Sequence, residues 1–399
     1  MSRAVGAPSA GRTARHNGRV AQHVAALPPS GIRKFFDLVL GVPDVVSLGV
    51  GEPDFSTPWN IREQAIYRIE TGRTAYTSNH GLMDLREALA RWLANRYGLD
   101  YDPATEMLIT VGASEAIDLA LRALLNPGDE VLVLEPCYVS YKPTVALAGG
   151  VPVPVPTHQR DGFRPDFAAL EAAVTGRTRA LIINYPNNPT GATFGPEDLA
   201  RLQRLAETHD LVVISDEIYA ELTYDKRHHS LPALPGMKER TILVSGFSKA
   251  HAMTGWRLGY ACAPRDLLEA MVKIHQYTML CAPTLSQYAG LEALEHSDED
   301  VAAMREEYDM RRRLIVTGLN SLGLKTLLPE GAFYAFADIT PTGLTSEQFC
   351  AELLRAEKVA VVPGGAFGEC GEGFFRASYA AGFDRIETAL ERIGRFLGR

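Results

Sequence analysis

The middle of the chain alternates short apolar runs with stretches in which apolar residues recur at helical spacing. The apolar runs predict strands at Met107–Thr110, Val131–Leu134, Ala180–Ile183, Leu211–Ser215, Thr241–Val244 and Leu258–Cys262. Amphipathic helices are predicted between several of them, at Glu115–Leu125 and Glu197–Thr208. Turn signals such as Pro127-Gly128-Asp129 stand where a helix ends and a strand begins. This alternation implies an α/β fold with a mostly parallel central sheet and helices on both faces. Beyond about residue 295 the pattern changes to a long charged helix from Asp298 to about Leu319 and a strand at Ala332–Phe336. A helix at Ser346–Glu357 and a last helix from Phe383 follow, which together predict a smaller α+β domain. The segment near Ser30–Leu48 is assigned to that domain, because chain ends are often close in space. The predicted division is an arm at 1–29, an N-terminal part of the small domain at 30–60, a large domain at 61–295 and the rest of the small domain at 296–399.

Composition narrows the class. A chain of 399 residues is too long for one hydrophobic core and suits a large domain with a smaller one. A net charge of −8 argues against nucleic acid as the main partner. No apolar run approaches membrane-spanning length, so no membrane partner is expected. The five cysteines are scattered and contain no CxxC pair, which argues against a disulfide framework or a metal site. A reducing compartment, the cytoplasm, is the natural reading. The first residues carry Arg3, Arg12, Arg15 and Arg19, with no acid before Asp37 and no apolar segment. That is not a secretory signal. It reads as a flexible arm, with a transit peptide as the alternative.

Four segments carry candidate chemistry. Ser245-Gly246-Phe247-Ser248-Lys249 is followed by Thr254-Gly255-Trp256-Arg257. A lysine in such a loop can be a neutral amine that condenses with an aldehyde, with hydroxyls and an arginine to hold a phosphate. Taken alone, the stretch could be a surface loop. Asp216 stands at the end of a predicted central strand, where open α/β sheets bind ligands. Its carboxylate could pair with a pyridinium nitrogen or simply cap a helix. Asn184-Tyr185-Pro186-Asn187-Asn188-Pro189-Thr190-Gly191 forms a loop able to aim an amide at a ligand, though such turns are common. Gly112-Ala113-Ser114 leads into the predicted helix Glu115–Leu125, and free N–H groups at such a helix N-terminus suit a phosphate; an ordinary Ser cap is the alternative.

Taken together, these segments resemble the class I/II aminotransferases among the fold type I pyridoxal-5'-phosphate (PLP) enzymes, from about Ser30 to the C-terminus. SGFSKAHAMTGWRLGY and NNPTG carry the likeness. Gly51-Glu52-Pro53-Asp54-Phe55 and Phe375-Arg376-Ala377-Ser378-Tyr379 resemble bacterial and archaeal amino-acid aminotransferases of the aspartate and aromatic types. By that resemblance Lys249 holds PLP as a Schiff base and later moves the proton between Cα and C4'. Asp216 is then the partner of the pyridine nitrogen, and Asn188 and Tyr219 are donors to the 3'-oxygen. Tyr138 stacks on the ring, where some relatives carry Trp. Ala113, Ser114, Ser248 and Arg257 take the phosphate. Many relatives have Ser where Gly246 stands here, so Ser245 or Ser248 must supply the hydroxyl, and Ser248 is assigned. Tyr76 reaches the phosphate of the neighbouring subunit of a homodimer. Arg376 clamps the substrate α-carboxylate, and Gly51 approaches the same substrate.

The implied activity is ping-pong transfer of an amino group from an amino acid to a 2-oxo acid. A PLP-dependent eliminating lyase or aminocyclopropane-type synthase would use the same lysine and aspartate. A PLP-sensing regulator would need a DNA-binding module that the arm is too short to hold. A neutral or aromatic donor with 2-oxoglutarate as acceptor is expected. Ser114 stands where acid-specific relatives place a lysine, and Ser30-Gly31-Ile32-Arg33-Lys34-Phe35-Phe36 resembles an active-site cover. There Phe35 and Phe36 would form an apolar wall, with Arg33 or Lys34 serving the acceptor; packing of the small domain is the alternative.

Overall fold

The computed structural model describes residues 18–28 and 43–398. The expected cover segment Ser30–Phe36 and the first seventeen residues of the arm lie outside them. Seven strands form the central sheet: β2 (Met107–Thr110), β3 (Glu130–Glu135), β4 (Val151–Pro156), β5 (Thr178–Asn184), β6 (Val212–Asp216), β7 (Thr241–Gly246) and β8 (Gly259–Cys262). Their order is β2-β8-β7-β6-β5-β3-β4, and only β8 runs antiparallel to its neighbours.

Strand periodicity explains the two layers of helices. In β3, Val131 and Val133 join the apolar cluster containing helix Gly112–Leu124, while Leu132 and Leu134 join the one containing helix Pro196–Thr208. Side chains alternate across a strand, so a run that is apolar throughout needs cover on both faces. The predicted strands agree with the observed ones to within two residues at either end. The strand missed is β4, whose sequence is VPVPVP. Proline cannot donate to a ladder, so the pattern argues against a strand. β4 tolerates three prolines because it lies at the sheet edge, paired only with β3.

The C-terminal region holds a three-stranded sheet, β11 (Val362–Pro363), β12 (Phe374–Ser378) and β9 (Tyr334–Asp338). The strand predicted at Ala332–Phe336 therefore begins two residues late, and β12 was not foreseen as a strand. One face of this sheet, Phe375 and Ala377 with Ala335 and Ala337, packs on helices Asp298–Ser321, Ser346–Glu357 and Phe383–Phe396. The other face carries Arg376, Phe336 and Phe374 toward the central-sheet side; Phe336 and Phe374 stack at 4.9 Å. β1 (Val46–Ser47) pairs with β10 (Val359–Ala360), which ties the start of the chain to its end.

Candidate active site

Parallel strands end along one edge of the sheet, and the candidate residues follow those ends. Asp216 closes β6, Asn184 closes β5, and Ser248 and Lys249 follow β7. Open α/β sheets leave a crevice at this edge. There a cavity of about 500 Å³ is lined by Gly51, Ala113, Ser114, Tyr138, Asn188, Asp216, Tyr219, Ser248, Lys249, Arg257 and Arg376, among others. Its size suits a cofactor with a small substrate. Among the described residues, the structure thus gathers every assigned site residue except Tyr76, which is 83 % exposed and outside the cavity.

Each charged group has a physical setting. The Lys249 ammonium donates to the Gly51 carbonyl at 2.8 Å. Burial lowers its pKa to about 8; the charge of Glu52 opposes the shift, and the charges of Arg376 and Arg257 add to it. Asp216 is buried, and desolvation raises it to about 6 against hydrogen bonds from the Tyr141 hydroxyl (2.6 Å) and the Ile218 N–H (3.2 Å). The carboxylate does cap a turn, as one reading of the sequence allowed, but no α-helix follows it.

The loop after β5 folds on itself. The Asn184 side chain donates to the Asp216 carbonyl (3.0 Å) and accepts from the Asn188 N–H (3.0 Å). Asn188 then presents its oxygen to Arg376 at 2.9 Å, leaving its amide nitrogen as the remaining donor. Arg376 also donates to the Gly49 carbonyl at 2.8 Å. It is 2 % exposed, its Nε has no partner, and among the described residues it makes no ion pair. Burial lowers its pKa. A buried guanidinium without a counter-ion is costly, and an anionic ligand would neutralise it.

The helix predicted from Glu115 begins instead at Gly112. Gly112 has φ +73, and a side chain there would collide with the Arg257 guanidinium. Glu115 accepts the Val111 N–H at 2.5 Å and holds His275 at 2.7 Å. Ser114 therefore is not the helix cap. The N–H groups of Ala113 and Ser114 lie in the first turn, where intrahelical acceptors are lacking. Opposite them, Arg257 occupies a left-handed conformation (φ 52), which is strained for a non-glycine residue. Ser248 lines the cavity; Ser245 instead donates to the Glu217 carbonyl at 3.2 Å. The cavity residues that escaped the sequence reading include two tyrosines, Tyr141 and Tyr334. Both are fully buried, Tyr334 in the apolar run Ala332–Phe336 and Tyr141 between Ser140 and Lys142, and without tertiary contacts neither differs from an ordinary tyrosine.

A family model described as aminotransferase class I and II matches residues 43–393. The chain belongs to the class I and II aminotransferases. It is 54 % identical to the YugH protein of Bacillus subtilis (strain 168), over 95 % of this chain and 98 % of that one. It is 49 % identical to a protein named aspartate aminotransferase from Pyrococcus abyssi, over 92 % and 96 % of the two chains. The crystal structure of an aromatic aminotransferase from Pyrococcus horikoshii OT3 superposes with a TM-score of 0.88 at 49 % identity, covering 92 % of this chain and 98 % of that one. The fold is PLP fold type I, and this aminotransferase uses PLP to move an amino group between an amino acid and a 2-oxo acid. The lyase, synthase and regulator readings give way to it. The donor set fits PLP: an amine with lowered pKa, a buried carboxylate, a helix N-terminus facing an arginine, and a second arginine free for a carboxylate. Among the described residues, no helix is long and apolar enough to cross a membrane.

Proposed function

We propose that this aminotransferase binds PLP through Lys249 and takes a neutral donor, most naturally an aromatic amino acid, with 2-oxoglutarate as acceptor. The observation that carries the residue roles is the convergence of Lys249, Asp216 and the unneutralised Arg376 on one cavity. Ala113, Ser114, Ser248 and Arg257 would hold the phosphate, since a helix N-terminus and a guanidinium fork both favour it. Asp216 would face the pyridine nitrogen, Tyr138 the ring, and Tyr219 and Asn188 the 3'-oxygen. The chemistry that bound PLP supplies is an aldehyde for amine exchange and a ring that withdraws electrons from the substrate Cα.

Arg376 orients the substrate by its α-carboxylate, and the exclusion of water strengthens that pair. Lys249, once its amine is free, holds and moves the Cα proton. A lysine lowered to about 8 is poised for that work near neutral pH. Its bond to the Gly51 carbonyl fixes the position of the amine. Asp216 stays ionised when a positive ring nitrogen faces it, because opposite charge offsets the desolvation that raises its pKa.

Glu52 supports a neutral donor. Its carboxylate accepts from the Thr254 hydroxyl beside the cavity and would repel a second substrate carboxylate. Ser114 adds no charge where a cation would be needed. Aspartate is the second reading, favoured by the name of the Pyrococcus abyssi relative. The test compares kcat/KM for phenylalanine, tyrosine, alanine and aspartate at fixed 2-oxoglutarate. Burying one aromatic ring should give a preference of at least about tenfold. An aspartate advantage of that size would overturn the donor assignment and leave the PLP roles standing.

The same reading makes the active unit a cytoplasmic homodimer in which Tyr76 serves the partner's phosphate. Tyr76 shares an exposed apolar region with Tyr277, Met279 and Leu280, and the neighbouring Asn79 donates to the Leu280 carbonyl at 2.7 Å. Exposed apolar patches of this kind mark interfaces. The division into 30–60 with 296–399, and 61–295, stays part of this proposal. It is supported by the pairing of β1 with β10.

A further inference from the structure

We propose that Tyr334 is a positioning residue that couples the substrate-carboxylate arginine, Arg376, to the hydroxyl of Tyr219. The inference rests on the roles given above to those two residues. Tyr334 lies on β9 and shares a face with Arg376 on β12. Its ring sits 4.3 Å from the Arg376 guanidinium, and its oxygen lies 2.8 Å from that of Tyr219. Its third side is closed by Gly51, where a Cβ would come within 2.5 Å of the Tyr334 oxygen. The residue is 1 % exposed.

A hydroxyl has one proton to donate. When Tyr334 donates to the Tyr219 oxygen, the Tyr219 proton is left free to point into the cavity. When Tyr219 donates to Tyr334, that proton is consumed. Tyr219 is the only hydrogen-bond partner of the Tyr334 hydroxyl among the described residues. The positive charge over the ring polarises the Tyr334 O–H and makes it the better donor of the two. A carboxylate on Arg376 offsets that charge, so the occupancy of one site is felt at the Tyr219 hydroxyl. The contact also joins the C-terminal three-stranded sheet to the segment after β6.

Tyr334→Phe removes the hydroxyl and keeps the ring beneath Arg376. The readouts are the pH midpoint of the holoenzyme's visible absorbance, kcat and KM, and the melting of the apoprotein. They are taken for wild type, Tyr334→Phe, Tyr219→Phe and the double variant. A hydrogen bond donated by Tyr219 to the 3'-oxygen of bound cofactor would favour that oxygen's anionic form, so weakening the bond would raise the midpoint. Tyr334→Phe should raise the midpoint by about one pH unit and lower kcat about tenfold. KM should stay within about threefold because the ring platform remains, and apoprotein melting should be unchanged. Both effects should vanish in the Tyr219→Phe background, since a residue acting through another cannot act once that other is gone. The proposal is overturned by a midpoint equal to that of the wild type, or by the same effects persisting without the Tyr219 hydroxyl. If Tyr219→Phe alone leaves the midpoint unmoved, it is the role of Tyr219 that fails, and the coupling fails with it.

Discussion

Two buried arginines occupy opposite electrostatic settings. Arg312, 1 % exposed in the helix Asp298–Ser321, donates to the Pro329 carbonyl and to Asp225 and is paired with Asp309. Its pKa is raised: burial pulls it down, but the bond to Asp225 and the charges of Asp309 and Asp225 prevail. Arg376 is as deeply buried, hydrogen-bonds among the described residues only to a carbonyl and an amide oxygen, and has its pKa lowered by burial. The first arginine is neutralised by the chain itself and serves stability. The second has no counter-ion among the described residues, which costs stability and suits the anionic ligand proposed for it. Lys249 and Asp216 belong with the second kind, because desolvation shifts both toward their neutral forms.

Removal of the lysine should give the largest effect. Lys249→Ala should lose at least about a thousandfold in kcat, because the proton-transfer group is gone. It should still retain PLP weakly through the phosphate contacts, with a melting temperature at or above that of the wild type. Borohydride reduction of the yellow wild-type holoenzyme should fix the cofactor to Lys249, which peptide mapping checks; an adduct on another lysine contradicts the assignment.

The two arginines should then part company. Arg376→Met should cut kcat/KM for amino acids by about 10²–10³-fold, the cost of losing one partner of a buried charge pair, with little loss of stability. Arg312→Met should leave kcat/KM near wild type and cost about 2 kcal/mol in urea unfolding, because the Pro329 carbonyl, Asp225 and Asp309 lose a buried donor, while Arg313 stays paired with both acids. Equal effects of both variants on activity and stability would erase the contrast.

Asp216 sharpens it with pH. Its folded pKa of about 6 lies above the ordinary 3.8, so the folded apoprotein binds the proton more tightly than the unfolded chain. The resulting destabilisation is absent below pH 3.8, grows as pH rises, and is complete above about 6. Apo Asp216→Asn should therefore gain about 1–3 kcal/mol over wild type at pH 7 and nothing near pH 3.5. Denaturant titrations at the two pH values measure it. A pH-independent difference would show that the carboxylate is not desolvated.

The smallest effect is expected at Tyr76, outside the cavity. Tyr76→Phe should weaken PLP retention about tenfold, the worth of one hydrogen bond to a charged group, without unfolding the chain. Light scattering should give a dimer for both proteins. An active monomer would remove Tyr76 from the site and leave the arginine contrast intact.

The sequence by itself determined the central strands, because a run such as Leu132-Val133-Leu134 can be satisfied only between two covering layers. It also named Lys249, Asp216 and Arg257 by their chemistry near strand ends, whereas Asn188 and Arg376 were named by the resemblance to a family. It could not reveal β4, where edge position overrides the proline signal, or the start of the helix Gly112–Leu124, where Glu115 meets His275 across 160 residues. Tyr141 and Tyr334 were invisible for a related reason. Such a tyrosine joins the cavity only when folding sets its hydroxyl beside Asp216 or Tyr219. Only the tertiary structure decided which buried charges the chain neutralises and which it leaves open, because pairing is a matter of distance in space, and neighbours in sequence such as Arg311 and Arg312 already take different partners.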